Sequence, residues 1–224
     1  MVYLHAALNQ QFPPADLPGA VRAALGKPLR RAAGLTQLAL LGAFACLPEE
    51  RRHLPTALLW QSTSGPRLET ITLLEEICDG AAEPMPYDFL ATQPAIAAAQ
   101  IQPMLPGPHS AMHIPLDSEN VANWSLLLNL AIEWLNEERY AQVLCAQLNL
   151  WPDTASGHWL CVGMEPLENS LASLQIATEP SQEAQADTPD FPARLADWLN
   201  HGKTASLSLH SPAAPRLAVE FTRL

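Results

Sequence analysis

Residues 107–120 read GPHSAMHIPLDSEN, and the reading of this stretch decides the fold. HSAMHIP has the composition of a strand. The polar turn LDSEN follows, and from Asn120 the chain runs NVANWSLLLNLAIEWLNEERY, a helix apolar around most of its first half and charged only towards its end. Such a helix belongs in a core. Strand, sharp turn and buried helix N-terminus form the arrangement that depresses a thiol's pKa in cysteine-dependent acyl transfer. This stretch has no cysteine. Asp117 or Ser118 is expected to cap the helix instead, with Asp117 and Glu119 at the positive end of its dipole.

Working outward, VYLHAAL (2–8) reads as a strand, LTQLALLGAFACL from Leu35 as a helix stopped by Pro48, and TALLWQST as a strand buried on both faces. In SGPRLETITLLEEICDG, Leu68, Ile71, Leu74 and Ile77 predict an apolar helix stripe, with Pro66 in the first turn and Gly80 as the stop. PMPYDFLATQPAIAAAQIQPML reads as a loop feeding an alanine-rich helix. AQVLCAQLNLW, HWLCVGM and LASLQIA read as strands. Residues 178–190 form a polar, proline-containing linker; FPARLADWLNHGK is an amphipathic helix ending at Gly202, and the two strands around SPAAP make a hairpin. Strands alternating with helices predict an α/β layered fold. The expected organisation is a domain over 1–177, the linker, and a 191–224 extension packed on the same domain.

The chain of 224 residues is 48% apolar and 16% charged, with no apolar run long enough for a membrane span. Surplus apolar surface of this kind predicts an oligomer or an obligate partner. The formal charge of −11 argues against nucleic acid, whose phosphates demand clustered cations. Arg22, Lys27, Arg30, Arg31, Arg51 and Arg52 supply half of the basic residues, and an acidic ligand would dock there. The N-terminus lacks the features of a secretory signal, so the cytoplasm is the expected location. Cys46, Cys78, Cys145 and Cys161 form no C-x-x-C pair and are expected to be buried and reduced. His109 and His113 lie four apart on a strand, about 13 Å from one another, too far to share a metal ion; no metal or cofactor is expected. STSG (62–65) lacks every phosphate-loop signature and reads as a tight strand-to-helix turn, and no G-x-S-x-G places a serine nucleophile.

The order of elements resembles the N-terminal half of β-ketoacyl synthases, of thiolase-like fold. It is most similar to the short chain-length-factor-like subunits of type II polyketide and aryl polyene pathways. The carrying residues are RRAAGLTQLALLGA, TALLWQSTSGPRLETITLLEEI, PMPYDFLATQPAIAAAQI, LPGPHSAMHIPLDSENVANWSLLLNLAIEWL and YAQVLCAQLNL. The likeness covers about residues 28–150, and more weakly the strands to Ala177. The resemblance implies a layered thiolase-like half-fold with a C-terminal helix and β-hairpin added. Counting from Gly107 and Pro108, the synthase nucleophile position falls on Leu116, or on Asp117 with a one-residue gap. The family's two catalytic histidine motifs are absent, and His201 inherits no role. The resemblance therefore implies a subunit that is silent alone and works in a heterodimer with a catalytic ketosynthase, in fatty acid, polyketide or aryl polyene elongation. Met112, His113 and Ile114 would lie near the subunit interface, and Tyr87, Phe89 and Leu90 near the end of the partner's acyl tunnel. The acyl carrier protein would dock mainly on the partner, with Arg30 and Arg31 as a secondary contact. Two other readings stay open: an acyl transferase or hydrolase using Asp117 with His109 or His113, and a homodimeric interaction protein that binds acyl carriers.

Overall fold

A computed structural model describes residues 1–29, 32–80, 83, 85–94, 101, 105, 107, 109–116, 120–177, 184–211 and 217–224. Arg30, Arg31 and Asp117 lie outside the described residues, as do Pro108, Ser118, Glu119 and most of the alanine-rich segment.

In chain order the elements are β1 (Val2–Phe12), α1 (Leu17–Leu25), α2 (Gly34–Cys46), β2 (Thr56–Ser62), α3 (Arg67–Asp79), α4 (Pro86–Ala91), β3 (His109–Pro115) and α5 (Trp124–Asn136). There follow β4 (Gln142–Leu150), β5 (Ala155–Gly163), β6 (Ala172–Ala177), β7 (Ala184–Ala186), α6 (Phe191–His201), β8 (Ser206–His210) and β9 (Ala218–Arg223). All strands join one sheet in the order β3-β2-β4-β5-β1-β6-β9-β8-β7. β2 pairs parallel with both β3 and β4, β5 runs antiparallel between β4 and β1, and β9 pairs antiparallel with β6 and β8. Among the described residues β3 has β2 as its one neighbour, so it is an edge strand.

Burial on both faces explains the apolar runs. Every residue of β2 and β4 is buried. Side-chain alternation along β2 sends Leu58 and Trp60 into a core shared with α1 and α2, and Ala57 and Leu59 into a second core under α5 and α6. The first core is close-packed at Gly42 of α2, where a Cβ would stand 1.8 Å from a ring carbon of Trp159 on β5. Only glycine lets helix and sheet approach this far.

Four expectations are corrected. Ile71, Leu74 and Ile77 are exposed, and Leu73 is the buried residue of α3. A spacing of three drifts about 60° around a helix of 3.6 residues per turn at each step, so the stripe starts against the core at Leu68 and rotates out to solvent. Cys78, on the same helix, is exposed for this reason. α5 opens at Trp124 rather than at Asn120. Part of the stretch read as a polar linker enters the fold: Ala184–Ala186 adds a strand beside β8, and Asp187 is 1% exposed.

Candidate partner interface and the turn after β3

The edge strand carries the first group of sequence-predicted residues. Side chains alternate along β3, so His113 meets its register partner Trp60, with ring centroids 4.4 Å apart. The other face carries Ser110, whose Oγ lies 2.6 Å from the Tyr140 hydroxyl, then Met112 and Ile114. Met112 is 43% exposed, and Ile114 packs against the core under α5. Burial lowers the pKa of His113, and its Nε2 has no hydrogen-bond partner among the described residues. A neutral imidazole packed at a 46° tilt against an indole is placed for packing. Among the described residues no carboxylate forms an ion pair or hydrogen bond with it to orient it as a general base.

Leu116 follows β3 directly and is half-buried. Neither it nor Asn120 belongs to a helix, so the strand does not turn straight into α5. The N-terminus of α5 is capped from far along the chain; Asp117 and Ser118, expected as caps, lie outside the described residues. Trp124 N–H donates to Asp187 Oδ1 at 2.9 Å, while Ser125 N–H and Oγ–H donate to Asp187 Oδ2 at 2.9 and 2.5 Å. Ala122 N–H donates to the Asp187 carbonyl at 3.1 Å, and Asn123 N–H to Gln61 Oε1 at 2.8 Å. A helix N-terminus is an anion site, and here the anion is the protein's own carboxylate. Burial pushes the Asp187 pKa up, against the hydrogen bonds from Ser125 and Trp124 and the charge of Arg194, which pull it down.

The STSG turn after β2 is closed in the same manner. Asn149 Oδ1 accepts from Thr63 N–H and Thr63 Oγ–H, each at 2.9 Å, and from Ser64 N–H at 3.3 Å. Ser62 Oγ accepts from Gly65 N–H at 2.8 Å, and Gly65 supplies the positive φ of 52° that the turn requires. Beside it, at the carboxyl ends of β2 and β4, a cleft of about 390 Å³ is lined by Thr63, Gln147, Asn149, Trp151 and Pro189. Open α/β sheets bind ligands at this end of their strands. Among the described residues the lining offers hydroxyl and amide groups for hydrogen bonding and no Cys or His. Among the described residues no cluster of His, Cys, Asp or Glu could hold a metal ion. No helix among them is long and apolar enough to cross a membrane.

The second predicted group lies on α4, where Asp88 accepts from Met85 N–H at 3.0 Å to start the helix. Phe89 and Leu90 are 62% and 47% exposed, while Tyr87 lines a cleft between α2, α3 and α4. Sequence reasoning missed Asp187 and Asn149. Both act on residues more than sixty positions away, so no local pattern announces them.

This fold, a sheet of parallel strands extended by antiparallel ones and layered between helices, is the one found in solved ketosynthase structures. Over 99% of both chains, at 15% identity and a TM-score of 0.55, the protein is similar to the ketosynthase (ApeO) in complex with its chain length factor (ApeC) from Xenorhabdus doucetiae. It is likewise similar to the ishigamide ketosynthase/chain length factor, over 100% of this chain and 99% of that one, at 12% identity and a TM-score of 0.61. No protein-family model and no curated protein matches the chain.

Proposed function

We propose that the protein is a ketosynthase partner subunit of the chain-length-factor kind, without condensing chemistry of its own, serving elongation of carrier-bound acyl, polyketide or aryl polyene chains. The observation that carries this reading is the turn after β3. It begins with Leu116, and the helix N-terminus that could stabilise a thiolate or oxyanion already holds the Asp187 carboxylate. Full-length likeness in fold to ketosynthase/chain length factor structures supports the partner role. The edge strand β3, with Met112, His113 and Ile114, would pair with the synthase, because an unpaired edge is an aggregation liability unless something covers it. Tyr87, Phe89 and Leu90 would reach the partner's acyl tunnel, where bulk limits chain length by excluded volume. The carrier protein would dock on the synthase. His113, packed against Trp60 with its pKa lowered by burial, does not favour an acid–base hydrolase.

Native mass spectrometry of the chain alone, and then with the catalytic ketosynthase of its own gene neighbourhood, tests this reading. A one-to-one complex is expected, with no turnover of acyl thioesters by the chain alone. A stable monomer that ignores the synthase refutes the partner role, and turnover lost on Asp117→Asn would restore the enzyme reading.

A further inference from the structure

The net charge of the chain comes from one stretch. Between Arg67 and Arg139 there is no Lys or Arg, and there are eleven Asp or Glu, as many as the −11 of the whole chain. The remainder carries twelve acidic and twelve basic residues. This stretch holds the crossover from β2 to the edge strand β3, and with it α3 and α4.

The same crossover carries exposed apolar side chains: Ile71 at 45%, Leu74 at 54%, Ile77 at 49% and Phe89 at 62%. Glu75, Glu76, Asp79 and Asp88 line an open groove on the same two helices. Beside it, a cleft of about 430 Å³ runs between α2, α3 and α4, with Leu29, Leu68 and Tyr87 on its walls and Glu69, Glu76 and Asp88 as its carboxylates. Glu69 Oε1 accepts from Gly34 N–H at 3.1 Å, while Oε2 is buried with no hydrogen-bond partner among the described residues. A buried acceptor left unmade is costly. The cleft has the shape and chemistry to take the aliphatic stem and cationic head of a lysine or arginine.

We propose that the α3–α4 face docks a basic, apolar surface of a second, different protein chain, with a cationic side chain seated on Glu69, and that the same face repels another copy of this one. The commitment to a different chain follows from charge. Bringing two copies together on this face would pair carboxylates with carboxylates and offer only Arg67, at the start of α3, as counter-charge, a repulsive element that selects against the wrong partner. A basic surface gains both the steering field and the apolar contact. The inference rests on the partner-subunit reading and adds the chemistry of the partner's surface.

Affinity of the chain for the co-expressed ketosynthase, measured at 50 and at 300 mM salt, tests it. Wild-type affinity is expected to fall about tenfold over this range, as screened charge pairs do. The triple reversal Glu76→Lys/Asp79→Lys/Asp88→Lys, whose folding is checked by thermal melting, is expected to bind at least about tenfold more weakly at low salt. Independently, residues 67–91 of the wild-type chain should gain hydrogen-exchange protection in the complex. In an NMR titration the Glu69 carboxyl, whose pKa burial now raises, should titrate lower once the cation is seated. A complex indifferent to salt and to the triple reversal overturns this inference and leaves the partner reading intact. Failure to form any complex removes both, and a homodimer of the chain that buries α3 and α4 overturns the proposed selectivity.

Discussion

Asp187→Ala tests whether the helix N-terminus behind the β3 turn is held shut by a distant carboxylate. The substitution removes the acceptor for Trp124 N–H, Ser125 N–H and Ser125 Oγ–H, all in buried surroundings. Loss of a cap costs about 1 kcal/mol, and each buried donor left without a partner about 1–3 kcal/mol more. Removing the carboxylate also returns its desolvation cost, so the net loss should be about 2–4 kcal/mol. For a chain of this length that corresponds to a drop in Tm of about 5–15 °C, read by circular dichroism, with faster amide exchange at Trp124 and Ser125. Asp187→Asn keeps one acceptor and should fall between wild type and Asp187→Ala. The pH dependence has a definite sign. The folded-state pKa of Asp187 is raised above the ordinary value of 3.8, so the folded protein holds this proton more tightly than the unfolded chain. Relative to the non-titrating Asn variant, wild type should gain stability as pH falls through the raised value, and the gain should level off below about pH 3.8. A destabilisation by Asp187→Ala below about 0.5 kcal/mol, or a wild-type advantage that shrinks on acidification, would refute the reasoning.

A thiol reagent should modify one cysteine per native chain and four after denaturation: Cys78 is exposed, whereas burial raises the pKa of Cys46 and Cys145 and takes Cys161 to about 12. Gly42→Ala should destabilise the protein by about 1–3 kcal/mol or prevent folding, because the new methyl would meet the Trp159 ring; an unchanged denaturation midpoint would contradict the packing described. On the proposed function, Phe89→Ala in the reconstituted complex should lengthen the product, read by mass spectrometry, with the complex itself retained; an unchanged product distribution would remove Phe89 from the tunnel.

Much of the fold is legible in the sequence because the signals are local. TALLWQS has no polar alternation to lose, so it had to be a strand covered on both faces. Pro48 terminates α2 wherever the core lies, and the two apolar runs around SPAAP could pair only with one another or with a neighbouring edge. The readings that failed depended on geometry beyond the local pattern. Leu68, Ile71, Leu74 and Ile77 look like a stripe in one dimension and spiral off the core in three. Asp187 sits in a stretch whose composition describes a linker, yet its carboxylate completes a helix start that has no side-chain cap of its own at Asn123. No window of sequence around either end contains this pairing.

The surplus apolar composition and the acidic charge, which look contradictory in one chain, are reconciled by where they fall. A fold with a nine-stranded sheet absorbs most of the apolar side chains between its layers, and among those left exposed, Ile71, Leu74 and Ile77 on α3 and Phe89 and Leu90 on α4 fall together on one crossover. The same two helices carry acidic side chains and, after Arg67 at the start of α3, no Lys or Arg. Apolar surface alone would make this face adhere to any other, and charge alone would keep it in water. Together they leave a face that gains by being covered but resists being covered by its own kind, which is what a subunit of a heterodimer requires on the function proposed above. That combination also explains why the N-terminus of α5 can be filled by Asp187 without loss: the proposed role asks for an edge, a face and a filled helix terminus, and for no reactive atom.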